Sequence, residues 1–200
     1  MIEHIFPTPI YYHYTEEDVF DQLQDEITTF LKSVNFYQNE MQEHGMTKWI
    51  TTDTFHEDII SEAGLNLLSS EIDRHLTNYC NELGFQKVPY KRTSWISIFN
   101  SKDSLVSHNH GHEDIAGIYY YSGGEDAGKL YFESPVPAAV ASLCYRNYVD
   151  RWSHHPIPGK FILFPGWMTH GIFRNFTDIT RVSIPFNISF SRHLNLNYDK

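Results

Sequence analysis

Residues 115–133 read Ile115-Ala116-Gly117-Ile118-Tyr119-Tyr120-Tyr121-Ser122-Gly123-Gly124-Glu125-Asp126-Ala127-Gly128-Lys129-Leu130-Tyr131-Phe132-Glu133. Two runs of aliphatic and aromatic residues flank a break rich in glycine and aspartate, which is the pattern of two strands joined by a hairpin turn. The same period of two runs outward from this stretch, from Lys91 onward, with Gly or Pro as punctuation. The strands expected are 92–99, 104–110, 115–121, 129–133, 143–149, 160–164, 170–174 and 180–190. Short strands at that spacing predict a jelly roll or a small barrel.

Upstream of Lys91 the period is helical, after a short opening strand. Thr15 stands before Glu16, Glu17 and Asp18 as an expected N-cap, and Val19, Phe20, Leu23, Ile27, Phe30, Leu31 and Val34 follow at helical spacing, predicting a helix over 15–34. Leu65, Leu68, Ile72, Leu76, Tyr79 and Leu83 predict a second helix that Gly84 ends. The segment 35–55 between them reads as polar and irregular. The expectation is a mainly β (α+β) chain forming one domain over 1–200, with helices in 1–90 buttressing one face of a jelly-roll core in 91–190.

The chain has 200 residues, 41% hydrophobic and 20% charged, with 11 Gly and 9 Pro, a composition that excludes collagen, coiled coil and wholesale disorder. Its net charge of −10, from 15 Lys and Arg against 25 acids, argues against duplex nucleic acid as a partner. No apolar run is long enough to cross a membrane, and the start MIEHIFPTPIYYHY shows no basic leader. With only Cys80 and Cys144, a reducing cytoplasm is the expected compartment. Exposed aromatic strands leave a homodimer open.

Three of the 12 histidines gather in one place, His108-Asn109-His110-Gly111-His112-Glu113-Asp114. In an extended chain alternate residues share a face, so His108 and His110 could hold one cation, and a distant residue must complete the site. His170, at the start of a strand after Phe164-Pro165-Gly166-Trp167-Met168-Thr169, is the candidate. Because 108, 110, 112 and 114 all share one parity, a set of His112, Asp114 and His170 stands as the alternative. Further on, Arg181, Ser183 and Asn187 fall on one face of an otherwise apolar strand. An arginine there needs an anion, either a protein carboxylate such as Glu133 or the carboxylate of a ligand.

The order His-x-His, Ile115-Ala116-Gly117-Ile118-Tyr119-Tyr120, Gly159-Lys160-Phe161-Ile162-Leu163-Phe164-Pro165-Gly166-Trp167, His170 and Arg181-x-Ser183-x-x-Phe186-Asn187 resembles the Fe(II)/2-oxoglutarate-dependent oxygenases, in a branch found in bacteria and their phages. The resemblance covers roughly residues 90–190. It implies a double-stranded β-helix, the cupin-like jelly roll, and an enzyme, an oxidoreductase that uses Fe(II), 2-oxoglutarate and O2 to hydroxylate a small molecule or a protein side chain. Succinate and CO2 would be released. Carried over by motif, His108 and His170 are metal ligands, with His110 standing where the wider superfamily has Asp or Glu. Arg181 and Ser183 would grip the cosubstrate, with Asn187 and the pair Tyr119 and Tyr121 as further contacts. The rival readings are a three-histidine cupin-type metalloenzyme that does not use 2-oxoglutarate and a catalytically silent metal-binding jelly roll. The pair His154-His155 is expected to be solvated.

Overall fold

The structure is a computed structural model that describes residues 7–41, 47–52, 57–136 and 151–191. Its elements run β1 (Tyr11–Tyr14), α1 (Glu17–Leu31), β2 (Phe36–Met41), β3 (Thr47–Thr52), α2 (Ile59–Glu62), α3 (Asn66–Glu82), β4 (Tyr90–Ser94), β5 (Ser97–Phe99), β6 (Leu105–His108), β7 (Ile115–Ser122), β8 (Leu130–Glu133), β9 (Arg151–His154), β10 (Lys160–Pro165), β11 (His170–Ile172) and β12 (Arg181–Phe190). Eight strands form one sheet in the order β1-β10-β7-β12-β5-β3-β2, with β4 also on β12. The other four form a second sheet, β6-β11-β8-β9.

Strand parity assigns each residue of the large sheet to one of two cores. Ile115, Tyr119, Phe161, Leu163, Ile184, Phe186 and Ile188 pack against Leu23 and Ile27 of α1 and Leu68, Ile72 and Leu76 of α3. The intervening Ala116, Ile118, Tyr120, Ile162 and Phe164 meet Leu130 and Phe132 of the small sheet. A strand buried on both faces reads as a continuous apolar run, which is why β7 and β10 do not alternate with polar residues. Gly117 lies opposite Phe186 in the β7–β12 register, and the Phe186 ring occupies the space a Cβ at Gly117 would need. The helices buttress the large sheet as expected, and the sandwich is the jelly roll of a double-stranded β-helix.

Several local expectations differ from the structure. The turn at Gly123–Gly128 does not close a hairpin, because β7 belongs to the large sheet and β8 to the small one. It turns a corner between sheets instead, where Gly123 meets the Pro156 carbonyl at a distance no side chain would permit and Gly128 has φ +77°. The expected strand 92–99 is two strands. Pro185 lies where β12 passes from pairing with β5, at Arg181–Ser183, to pairing with β4, at Phe186–Phe190. Proline has no N–H to give, so the ladder breaks there, and its carbonyl takes the Trp95 N–H at 3.2 Å.

The segment expected to be irregular contains an antiparallel pair, β2 with β3, joined to the sheet through Ile50↔Ile98 and Thr51↔Ser97. Backbone pairing onto an existing edge stabilises a strand whose own residues carry a weak signal. β9 and the short α2 were likewise not foreseen, and the expected strand 143–149 and Cys144 lie outside the described residues.

Thr15 does not cap α1. The cap position is Glu16, and Thr15 donates both its N–H and Oγ1 to the Gly159 carbonyl, at 2.8 and 2.9 Å, tying the helix start to β10. For α3 the cap comes from the other helix, since the Glu26 carboxylate accepts the Leu67 and Leu68 N–H groups at 2.8 and 2.9 Å. Its far end matches expectation. Gly84, at φ +79°, donates to the Asn81 carbonyl and Phe85 to that of Cys80, a Schellman closure. Cys80 is buried and free. Among the described residues no helix is long and apolar enough to cross a membrane.

His75 on α3 is fully buried. Tyr11 Oη lies 2.8 Å from its Nδ1, Arg74 Nη2 3.2 Å from Nε2, Glu71 3.8 Å away, and the His13 and Phe161 rings lie tilted against it. Burial, followed by the charges of Arg74 and His13, pushes its pKa down to about 3. The folded pKa is below the unfolded one, so its contribution is complete above about pH 6.5 and is lost as pH falls toward 3. In that window the unfolding free energy should drop by up to about 1.4 kcal/mol per pH unit on account of this group. Urea denaturation at pH 7 and pH 5 should therefore show a shallower pH dependence for His75→Phe than for the parent. Parallel slopes would disprove the assignment.

Candidate metal centre and cosubstrate pocket

β11 lies between β6 and β8, and its first residue, His170, sits directly opposite His108 in the β6–β11 register. β6 ends at His108, two residues short of the expected strand, so the extended-chain argument does not place His110. A loop does: the His110 N–H donates to the Gly166 carbonyl at 2.8 Å, and the Gly166 N–H to the Asp114 carbonyl at 3.1 Å. Gly166 permits this close approach, because a Cβ there would overlap the Glu113 carbonyl. The ligand atoms of His108, His110 and His170 all lie within 4.8 Å of one another.

Two of the imidazoles have their tautomer chosen by the backbone. His108 Nδ1 is 3.0 Å from the Val106 carbonyl and His170 Nδ1 is 2.9 Å from the Met168 carbonyl. An oxygen acceptor requires Nδ1–H, which leaves each Nε2 lone pair free for a metal. Burial holds the three neutral at pH 7, pushing His170 down to about 3, His110 to about 4, and His108 below its ordinary value. Neutral imidazoles are the ligating form.

The alternative set is not assembled. His112 is exposed, and Asp114 uses its carboxylate to accept the Phe190 N–H at 2.7 Å.

The three rings open onto a cavity of about 410 Å³ between the two sheets, walled by Leu105, Leu130, Phe164 and Ile172, and lined farther along β12 by Asn187, Ser183 and Arg181. Arg181 is wholly buried, its guanidinium carbon 5.0 Å from the Phe99 ring centroid and 5.1 Å from that of Tyr120. Its three nitrogens, Tyr120 Oη, Ser183 Oγ and Asn187 Oδ1 are buried without a hydrogen-bond partner among the described residues. Glu133, the protein carboxylate considered for Arg181, instead accepts from Arg151 at 2.9 Å and Ser107 at 2.6 Å. A buried guanidinium beside two unpaired hydroxyls has the chemistry to receive a carboxylate.

Tyr119 and Tyr121, expected at the cosubstrate, lie on the opposite face of β7. Gln24 Nε2 donates to Tyr119 Oη at 3.1 Å, and Tyr121 Oη is 2.7 Å from Thr28 Oγ1, so both tie the sheet to α1. Tyr120 faces the cavity side in their place. The sequence carried no signal for that choice, because neighbours on both faces are apolar. Trp95, Thr51 and Ser97 also line the cavity without having been singled out. His154 is buried rather than solvated, with Nδ1 3.3 Å from Lys160 Nζ, and His155 approaches the Glu125 carbonyl.

A protein-family model described as "Putative 2OG-Fe(II) oxygenase" matches residues 93–187, just under half the chain and nearly all of the strands that build this cavity. That segment is similar in sequence to the 2OG-Fe(II) oxygenases. Solved structures agree in fold. A prolyl-4-hydroxylase from Pseudomonas putida superposes with a TM-score of 0.61 at 14% identity, covering 92% of this chain and 94% of that one. A Trichoplax adhaerens prolyl hydroxylase in complex with a hypoxia inducible factor peptide gives 0.64 at 12%, covering 90% and 83%. HygX from Streptomyces hygroscopicus, with nickel and 2-oxoglutarate bound, gives 0.60 at 12%, covering 92% and 84%. No curated protein matches the chain in sequence.

The residues present fit the cofactors of this oxygenase family. Three neutral imidazoles suit Fe(II), and the unpaired guanidinium and hydroxyls suit the far carboxylate of 2-oxoglutarate.

Proposed function

We propose that His108, His110 and His170 hold Fe(II), that Arg181, Ser183 and Tyr120 grip 2-oxoglutarate, and that the chain hydroxylates a carbon of a small molecule or of a protein side chain. The observation that carries this reading is the Arg181 guanidinium, wholly buried in a cavity wall with no protein anion to meet it among the described residues. It is also what disfavours a three-histidine enzyme without the cosubstrate, in which that charge would serve nothing.

Bound there, iron and 2-oxoglutarate would supply the oxidising chemistry, in which decarboxylation to succinate and CO2 accompanies insertion of one oxygen atom from O2 into a C–H bond. The chain's own residues orient and exclude. The backbone carbonyls of Val106 and Met168 keep two Nε2 atoms unprotonated and aimed. Arg181 and the hydroxyls fix the cosubstrate at one end of the cavity, and Leu105, Leu130, Phe164 and Ile172 keep water from the reacting region.

The relatives include a prolyl hydroxylase solved with a peptide and HygX solved with hygromycin B. A peptide and a small molecule are the two substrate classes proposed for this chain. The His-x-His motif supports placement in the bacterial and phage branch, and the free, buried Cys80 supports a reducing cytoplasm.

Calorimetric titration of 2-oxoglutarate into anaerobic protein loaded with Mn(II) should give micromolar binding that disappears with EDTA. No binding by protein that retains its metal would overturn the oxygenase reading in favour of a metal site with another use.

A further inference from the structure

Two of the three imidazoles have a backbone acceptor for Nδ1–H, and His110 has none. Its backbone is held by Gly166, but the neighbour of its Nδ1 is the side chain of Asn187, on β12, whose Nδ2 lies 3.4 Å away. Asn187 is 8% exposed, and its Oδ1 is buried without a partner. As placed, an amide N–H faces a ring nitrogen that would have to be the unprotonated one. That tautomer would put the proton on Nε2, the atom a metal would need free for His110 to ligate as His108 and His170 do. The two ends of an amide exchange places by a half-turn about χ2. Turned so, Oδ1 accepts from His110 Nδ1–H, and all three histidines share one tautomer. The NH2 group then takes the position where Oδ1 is now unpartnered, and there it is a donor for an anionic ligand in the cavity.

We infer that Asn187 is a positioning residue for the metal centre, its carbonyl oxygen setting the tautomer and ring orientation of His110 as the Val106 and Met168 backbone carbonyls do for the other two. The inference rests on the metal site proposed above. It gives Asn187 a role acting through a ligand, in addition to any contact with the cosubstrate. A side-chain acceptor is needed at this one position because His110 sits on a loop beyond the end of β6, where no backbone carbonyl among the described residues meets its ring.

The test uses Co(II) as the probe, titrated into the metal-free full-length protein and followed by calorimetry and by the visible absorption of the bound ion. Asn187→Leu keeps the branched outline of the side chain and removes the acceptor, and it should weaken Co(II) binding by about 10–100-fold and change the visible spectrum. Asn187→Asp, which accepts but cannot donate, should restore both the affinity and the parent spectrum. Asn187→Ala repeats the first measurement if the leucine variant does not fold, as judged by circular dichroism. Parent-like binding by the leucine or alanine variant would overturn the inference. So would an aspartate variant as weak as leucine, since that would mean the amide acts as a donor. Failure of the parent protein itself to bind Co(II) is a different result: it removes the metal-centre reading, and this assignment with it.

Discussion

Replacing Arg181 by methionine is expected to raise the melting temperature of the metal-free protein while sharply lowering its affinity for 2-oxoglutarate. The two effects have one cause. Arg181 is 0% exposed, and its guanidinium lies between the Phe99 and Tyr120 rings, with no hydrogen-bond partner for any nitrogen. Taking an ion out of water costs several kcal/mol, which two aromatic faces offset only in part. A hydrophobic residue of similar volume removes that cost. Exchange of buried ionic groups for apolar ones stabilises by roughly 1–4 kcal/mol, a gain of about 2 to 16 degrees for a chain of this size. The same exchange removes the charge that meets the cosubstrate carboxylate, a loss of about 2–5 kcal/mol, or roughly 30-fold to several-thousand-fold in affinity. Differential scanning calorimetry of metal-free protein and titration of Mn(II)-loaded protein would measure the two. A destabilised variant would show that Arg181 has a protein partner. A variant that still binds 2-oxoglutarate normally would show that the receptor lies elsewhere.

His170→Ala is expected to lose metal binding almost completely. His170 is 4% exposed, faces His108 across the strand pair, and presents Nε2 because its Nδ1 is committed to Met168. Loss of a partner that merely orients a ligand costs about 10–100-fold in metal affinity, so loss of the ligand itself should exceed that. The stabilisation that Mn(II) confers on the parent in a thermal melt should vanish with this variant. His112→Ala and Asp114→Asn provide the contrast, since the alternative ligand set predicts that they fail equally. Expected instead is parent-like metal stabilisation in both, with the asparagine variant melting somewhat lower because Asp114 accepts the Phe190 N–H. Metal-dependent stabilisation that survives in His170→Ala would sink the three-histidine centre.

Along β12 the face toward the cavity was legible in the chain. Arg181, Ser183 and Asn187 are polar residues in an apolar strand, and a period of two admits one arrangement. On β7 the same rule offered two faces with nothing between them. Tyr119, Tyr120 and Tyr121 differ in role although not in type, and only the packing of Gln24 and Thr28 against two of them separates the three. The hairpin β2–β3 was hidden for a related reason, since its strands are held by pairing with β5, which a local pattern cannot register. The turn chemistry at Gly123–Gly128 was recognised, but its destination was not. The same residues serve a hairpin or a corner between sheets, and the choice depends on which sheet has a place for β8.

The candidate site divides along the same line. The chain's own pattern established a strand-rich half with glycine and proline at its corners, a group of histidines with a distant third, and an arginine that required an anion. These follow from residue type and period, which act over a few neighbours. Folding settled which imidazoles meet, because His170 reaches His108 through strand pairing across 62 residues of chain, and His110 through a loop held by Gly166. It also settled that the Arg181 charge is left without a partner among the described residues, since Glu133 lies on another strand with Arg151. Contacts of that kind depend on distances between segments, and no local pattern of residues encodes them.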